Sequence, residues 1–296
     1  MRVCVIINPA AKGEKAQRFL KQLGLFAGLC ALKSTHGPGT GRDLAREAVE
    51  EGFETIVAAG GDGTINEVLN GIADHPEGLQ RARLGVLPVG TVNVFAREMQ
   101  LPLKVRAAWE TIVRGRETAV DLPQFQFRLH GEPQRRHFVQ MAGAGWDARA
   151  IETVDPNLKK RVGQFAYMLA GLSTLREPRP IITVTAGSRT AKGELVILGN
   201  GRYYGGEIPV FCQANNHDGL LDVCVFPRIT LRVLVRYVMG YLSPRLFRPR
   251  DEIYFQTESL QLTSDPPAPL QLEGETVGYV PAECMLRRLA LRVIAP

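Results

Sequence analysis

A chain of 296 residues, 45% hydrophobic and 22% charged, can bury two ordinary cores, which excludes a chain that stays disordered for want of apolar surface. No apolar run approaches the length of a membrane-spanning helix. The formal net charge of +6 favours an anionic partner, and charge alone leaves nucleotide, nucleic acid and acidic bilayer equally open.

The β-branched run Val3–Ile7 predicts a strand that turns at Asn8-Pro9. That turn comes too early for a secretory signal and has no small-residue cleavage pattern, so the expected location is cytoplasmic. Five cysteines, Cys4, Cys30, Cys212, Cys224 and Cys284, are odd in number and lack metal-ligand spacing; buried free thiols are expected. The turn Asn8-Pro9-Ala10-Ala11-Lys12-Gly13 can offer amide donors and one cation to a phosphate, although an ordinary strand-to-helix loop would read the same way. A helix is predicted over residues 14–25. Residues 31–35 then read as a strand, 36–41 as a glycine-rich loop and 42–51 as a helix.

The centre of the pattern is residues 55–71, where the buried-type strand Thr55–Ala59 enters Gly60-Gly61-Asp62-Gly63-Thr64 and helical spacing resumes with Ile65, Val68, Leu69 and Ile72 on one face. Glycines there let a ligand reach the backbone, and the free N–H groups of a helix start suit phosphate. Asp62 beside phosphate requires a bridging cation or a hydroxyl donor, which points to phosphoryl transfer with a divalent metal. The bland alternative is a tight turn in which Asp62 caps a helix.

Residues 84–88 form a further short strand, followed by Val89-Gly90-Thr91-Val92-Asn93. Loops 8–13, 35–41, 60–64 and 90–93 all end strands, and in a parallel sheet they emerge on one edge, where ligands bind. Residues 1–125 are therefore expected to form a doubly wound α/β nucleotide-binding domain.

Residues 126–296 change to short β-rich runs, expected as a β-sandwich domain that binds lipid, with the last segment left free to pack back on the first domain. The predicted strands are 124–129, 136–141, 181–185, 194–198, 210–213, 221–226, 252–257, 260–263 and 271–272, and the predicted helices 158–176 and 230–242. The stripe Phe165–Leu172 reads as core, with an acyl-chain channel as the functional alternative. Segment 245–250, with three arginines around Leu246 and Phe247, reads equally as a headgroup contact or a solvated loop. The five histidines lack metal spacing, and Asp121 and Asp147 are expected in capping or surface roles, with the acceptor site as the alternative.

Taken together, Asn8-Pro9 with Gly13, Gly60–Glu67, Leu87–Ala96, Gly199–Gly206 and Asp218–Val223 resemble the diacylglycerol kinase catalytic-domain family, bacterial soluble lipid kinases related to sphingosine kinases. The resemblance implies ATP and Mg2+ as cofactors. Nucleotide contacts would fall on Asn8, Pro9, Lys12, Thr35, Gly60, Gly61, Asp62, Gly63, Thr64, Asn66, Glu67 and Thr91. It implies a magnesium site at Asp218 with the carbonyls of Asn215 and Leu220, and Glu275 as proton acceptor, assisted by Asp62. The cleft between the two predicted domains would be the active site.

The implied partners are ATP and a lipid at the membrane surface, most simply diacylglycerol, reached by transient membrane association; no nucleic acid is implied and a homodimer is left open. The chain departs from the family pattern at Ala10-Ala11-Lys12, at Gln213-Ala214 and at Glu273, where Asp is usual. The rival readings are an NAD kinase-like phosphotransferase and a non-catalytic nucleotide-binding regulator.

Overall fold

The structure is a computed structural model that describes residues 2–9, 28–153, 179–242 and 252–296. The predicted helices 14–25 and 158–176, Lys12 and the basic segment 245–250 lie outside the described residues. The chain divides into two units, Met1–Leu122 with Arg288–Pro296, and Pro123–Arg287.

In the first unit β1 (Val3–Ile7), β2 (Ala31–Ser34), α1 (Thr40–Glu50), β3 (Thr55–Gly60), α2 (Asp62–Asp74), α3 (Gly78–Arg81), β4 (Arg83–Pro88), α4 (Val94–Glu98) and α5 (Val105–Arg114) follow one another before β5 (Arg116–Leu129) leaves it. The four strands pair in parallel in the order β2-β1-β3-β4. Every residue of β1 and β3 is buried, as continuous apolar strands in a parallel sheet must be. Val3, Val5, Val57 and Leu87 pack against Ala108 and Ile112 of α5. The register Ile7↔Ser34, Ile7↔Ala59 and Gly60↔Pro88 aligns the carboxyl ends of all four strands.

The second unit is antiparallel. It contains β6 (Glu132–His137), β7 (Met141–Gly145), α6 (Trp146–Thr153), β8 (Ile182–Ala186), β9 (Arg189–Gly193), β10 (Leu195–Gly199), β11 (Tyr203–Tyr204), β12 (Ile208–Pro209) and β13 (Leu221–Phe226). There follow α7 (Leu231–Leu242), β14 (Ile253–Thr257), β15 (Ser259–Ser264), β16 (Pro269–Leu272), β17 (Glu275–Tyr279) and β18 (Ala282–Ala295), which returns to the first unit. One layer has the order β14-β13-β10-β7-β16-β17. Facing it, β8 pairs with β9 and β15, and β15 with the start of β18. Val184 and Leu262 of one layer meet Leu198, Val223 and Leu270 of the other in a shared apolar core, the sandwich that the alternating pattern predicts. Phe125 and Phe138 stack within it, their ring centroids 5.9 Å apart, and truncating either to Ala is expected to cost about 3–5 kcal/mol.

Two predicted strands are corrected. Residues 136–141 form no single strand, because β6 ends at His137 and β7 begins at Met141. The intervening amides of Val139 and Gln140 are bound by a side chain, Glu273, instead of a neighbouring strand. Residues 210–213 are irregular: the two-residue β12, paired with β11, ends at Pro209, and Phe211 turns inward against Gly199. The predicted strand 271–272 lies in β16, while β17 and the long β18 were not read from sequence as strands.

Candidate active site

The parallel register sets the phosphate-type turns side by side. Gly60 ends β3, and its carbonyl accepts the N–H groups of Val89 and Gly90, both at 3.2 Å. The two turns touch backbone to backbone. A Cβ on Gly90 would collide with Gly61 Cα and lie 2.7 Å from Asn93 Oδ1, so only glycine fits. Gly60 is similarly closed by the Thr64 side chain. Asn8 leaves β1 beside them, its N–H reaching Ala59 O at 3.4 Å. In a sheet of order 2-1-3-4 the crevice between β1 and β3 is the topological switch point, the usual seat of a nucleotide phosphate.

Asp62 opens α2 but does not cap it; its Oδ1 accepts the N–H of Phe95 at 3.2 Å, at the start of α4. Burial pushes the Asp62 carboxyl above its ordinary value, and the N–H groups of Val94 and Phe95 pull it partly back. Asn93, buried at φ 56°, makes the turn into α4 and donates from Nδ2 to Gly90 O at 2.8 Å. Arg97 Nε holds Val92 O at 2.9 Å, while Thr91, just before Val92, is exposed.

The third loop is fixed from α2. Glu67 accepts Gly39 N–H at 2.8 Å on Oε1 and Gly41 N–H at 2.9 Å on Oε2, which makes its carboxylate the cap of α1. Thr40 Oγ1 accepts from His36 and Gly37, closing the same loop, and buried Thr35 donates its N–H to Ile7 O at 2.8 Å. Thr64 is buried and Asn66 half-buried, with Asn66 Oδ1 accepting from Asn70 at 3.0 Å; Pro9 is exposed. Glu67 therefore positions a loop, and its two oxygens face backbone.

In the second unit the predicted acidic pair lies on the β16–β17 hairpin. Glu273 and Gly274 have φ of 53° and 82°, the left-handed pair that a tight hairpin requires. The longer Glu273 side chain does fold back: Oε1 accepts Val139 and Gln140 N–H groups at 2.8 and 2.7 Å. Glu275, next along the chain, is exposed and opens β17. Gln271 Oε1 accepts Gly274 N–H at 2.9 Å, and its Nε2 donates to Asp147 Oδ2 at 3.0 Å. Tyr204 OH donates to the same Asp147 oxygen, and Ala148 N–H to the other at 2.7 Å. Burial pushes the Asp147 carboxyl up, and these donors, Tyr204 first, lower it in part. Beside α6 a cavity of about 350 Å3 is lined by Trp146, Arg149, Arg179, Pro269 and Tyr279. Asp121, in the first unit, is buried and accepts Leu289 N–H at 2.7 Å, a fastening for β18.

The loop before β13 holds the predicted metal residues. Asp218 N–H reaches Asn215 O at 3.2 Å, and Asp218 Oδ1 accepts Leu220 N–H at 2.9 Å, so the three residues form one turn. The donor set of one carboxylate and carbonyl oxygens suits a hard divalent cation. Among the described residues no group of three His, Cys, Asp or Glu side chains converges as a metal site. Behind the turn, Tyr254 OH donates to Asp222 Oδ1 and accepts Gln213 N–H at 3.3 Å. Burial pushes Asp222 up to about 6, with nearby Asp218 adding to the rise. Sequence reading assigned no role to Tyr204, Gln271 or Tyr254, although Tyr204 lies in the Gly199–Gly206 segment and Gln271 stands just before the hairpin turn.

Residues 2–125 match the family model described as diacylglycerol kinase catalytic domain, and residues 140–295 match that of the YegS C-terminal NAD kinase beta sandwich-like domain. A protein of Bacillus subtilis (strain 168) named diacylglycerol kinase is 30% identical, with 100% of this chain and 96% of that one covered. One of Staphylococcus carnosus (strain TM300), of the same name, is 27% identical over 100% of this chain and 95% of its own. The crystal structure of a diacylglycerol kinase from Bacillus anthracis str. Sterne shares the fold, with a TM-score of 0.76 at 24% identity over 100% of this chain and 97% of that chain. The chain belongs to the diacylglycerol kinase catalytic-domain family.

Proposed function

We propose that the protein is a lipid kinase that transfers the γ-phosphate of ATP to a lipid hydroxyl, with diacylglycerol as acceptor and phosphatidic acid as product. The observation that carries this reading is the backbone contact between Gly61 and Gly90 at the carboxyl edge of β3 and β4, which sets two glycine turns side by side on one surface at the start of α2. Asn8, Thr35, Gly60–Asn66 and Thr91 border that surface and would hold the nucleotide, with Lys12 and Pro9 from the first turn; Glu67 acts there by fixing the 39–41 loop.

A lipid hydroxyl needs a proton acceptor as its oxygen bonds to phosphorus and the bond to the bridging oxygen breaks to release ADP. Exposed Glu275 takes that proton, and Asp62 orients the reacting groups. Asp218 with the carbonyls of Asn215 and Leu220 would hold Mg2+, which neutralises charge on phosphate oxygens when bound. The cavity beside α6 supports an amphipathic acceptor, since its lining combines aromatic and proline side chains with Arg149, Arg179 and Glu152. Among the described residues no helix is long and apolar enough to cross a membrane. The protein would meet a membrane-resident acceptor by transient contact with the bilayer surface.

The test supplies γ-labelled ATP and Mg2+ with diacylglycerol in mixed micelles, beside a second reaction containing NAD. Label in phosphatidic acid and none in NADP is the expected result. Label in NADP alone, or firm ATP binding with no product, overturns the reading.

A further inference from the structure

Helix α7, Leu231–Leu242, is a surface helix about 18 Å long whose outer face is apolar. Leu231, Val235 and Met239 recur at every fourth position and are 61%, 51% and 41% exposed. An outward stripe of this kind normally carries charge on a helix that packs by its other side. The orientation is fixed from within: Val233 enters the core with Phe211, Phe226 and Ile229, and Arg236 pairs with buried Glu252 at 2.9 Å. A roll that hid Leu231 and Val235 would withdraw Val233 from the core and break that ion pair.

The border of the stripe is basic. Arg232 follows Leu231 on the helix and Arg228 precedes it in the loop; both are exposed, and neither has an acidic partner among the described residues. The helix contains no acidic residue. Apolar side chains flanked by arginine is the pattern of a helix that lies in the plane of a bilayer, the apolar face entering the acyl boundary and the cations meeting anionic headgroups.

We infer that the Leu231–Val235–Met239 face of α7, with Arg228 and Arg232, is a docking surface for an anionic phospholipid membrane. This goes beyond the kinase reading, and its test contains no ATP or acceptor, so either can fail alone. The full chain is sedimented with vesicles of phosphatidylcholine alone and of phosphatidylcholine mixed with phosphatidylglycerol. Three proteins are compared: the parent, the Leu231→Ser/Val235→Ser/Met239→Ser triple variant and the Arg228→Gln/Arg232→Gln double variant, after thermal unfolding shows that each folds.

The parent binds the anionic vesicles, the triple variant loses that binding, and the double variant binds roughly tenfold more weakly or worse. Amide hydrogen exchange of the parent, which needs no variant, slows over residues 231–239 when anionic vesicles are added. No vesicle binding by the parent, equal binding to phosphatidylcholine alone, full binding by the triple variant, or unchanged exchange overturns the assignment. Self-association of the parent that the triple variant abolishes, without vesicle binding, gives the face to a second copy and overturns it as well.

Discussion

The Asp62 carboxylate accepts the backbone N–H of Phe95 at 3.2 Å, which ties the first residue of α2 to the first turn of α4. The two glycine turns are therefore fastened twice, by backbone contact at Gly61 and Gly90 and by this side chain. Asparagine keeps one acceptor oxygen and removes a charge that burial already disfavours. Asp62→Asn should thus unfold within a few tenths of a kcal/mol of the parent while turnover falls by roughly 100-fold or more. Asp62→Ala, which removes the acceptor of the Phe95 N–H, should cost about 1 kcal/mol in urea unfolding.

Gly90→Ala tests the backbone contact. Its methyl group would meet Gly61 Cα and Asn93 Oδ1, and backbone on the facing turn cannot yield as a flexible side chain does. A loss of about 1–3 kcal/mol in stability is expected, together with weaker ATP binding by titration calorimetry. A control at Gly37, where a Cβ meets nothing within 4 Å, should be close to neutral.

Glu67→Ala removes both acceptors of the Gly39 and Gly41 amides. Stability should fall by about 2 kcal/mol. Because the loop it holds belongs to the proposed nucleotide surface, KM for ATP should rise more than kcat falls, as steady-state kinetics at varied ATP will show.

Asp147→Asn reports the buried polar network. A carboxyl raised above its ordinary value binds its proton more tightly in the folded state, so its contribution is complete below the ordinary carboxylate range and declines as pH rises through the raised folded value. The advantage of the parent over Asp147→Asn should be largest near pH ~4 and shrink toward neutrality. Urea midpoints of both proteins measured across that range will show the trend, and a parallel pair of curves contradicts it.

Much of the first unit was legible because its signals are local. The buried runs at Val3–Ile7 and Thr55–Gly60 are continuous, and glycine and asparagine mark where each strand ends. The α/β unit followed by an antiparallel sandwich was readable from the change in periodicity. What stayed hidden depends on residues far apart in sequence. Val139 and Gln140 look like strand, yet their amides belong to Glu273 more than 130 positions later. Tyr204 lies in the Gly199–Gly206 segment, but only folding shows that its hydroxyl donates to Asp147. Glu67 enters the sequence reading as a nucleotide contact implied by the family resemblance, and the tertiary approach of residues 39–41 shows that its carboxylate also caps α1.

The central claim is that an acidic side chain of the β16–β17 hairpin takes the proton from a lipid hydroxyl while the glycine turns hold ATP. The most direct test measures ATP affinity and single-turnover transfer of labelled phosphate to a total lipid extract in parallel, for the parent and for Glu275→Gln. The account predicts a labelled lipid from the parent, ATP affinity within about twofold in the variant, and transfer slowed by roughly 100-fold or more. Equal transfer by parent and variant, or label that never enters lipid, would contradict it.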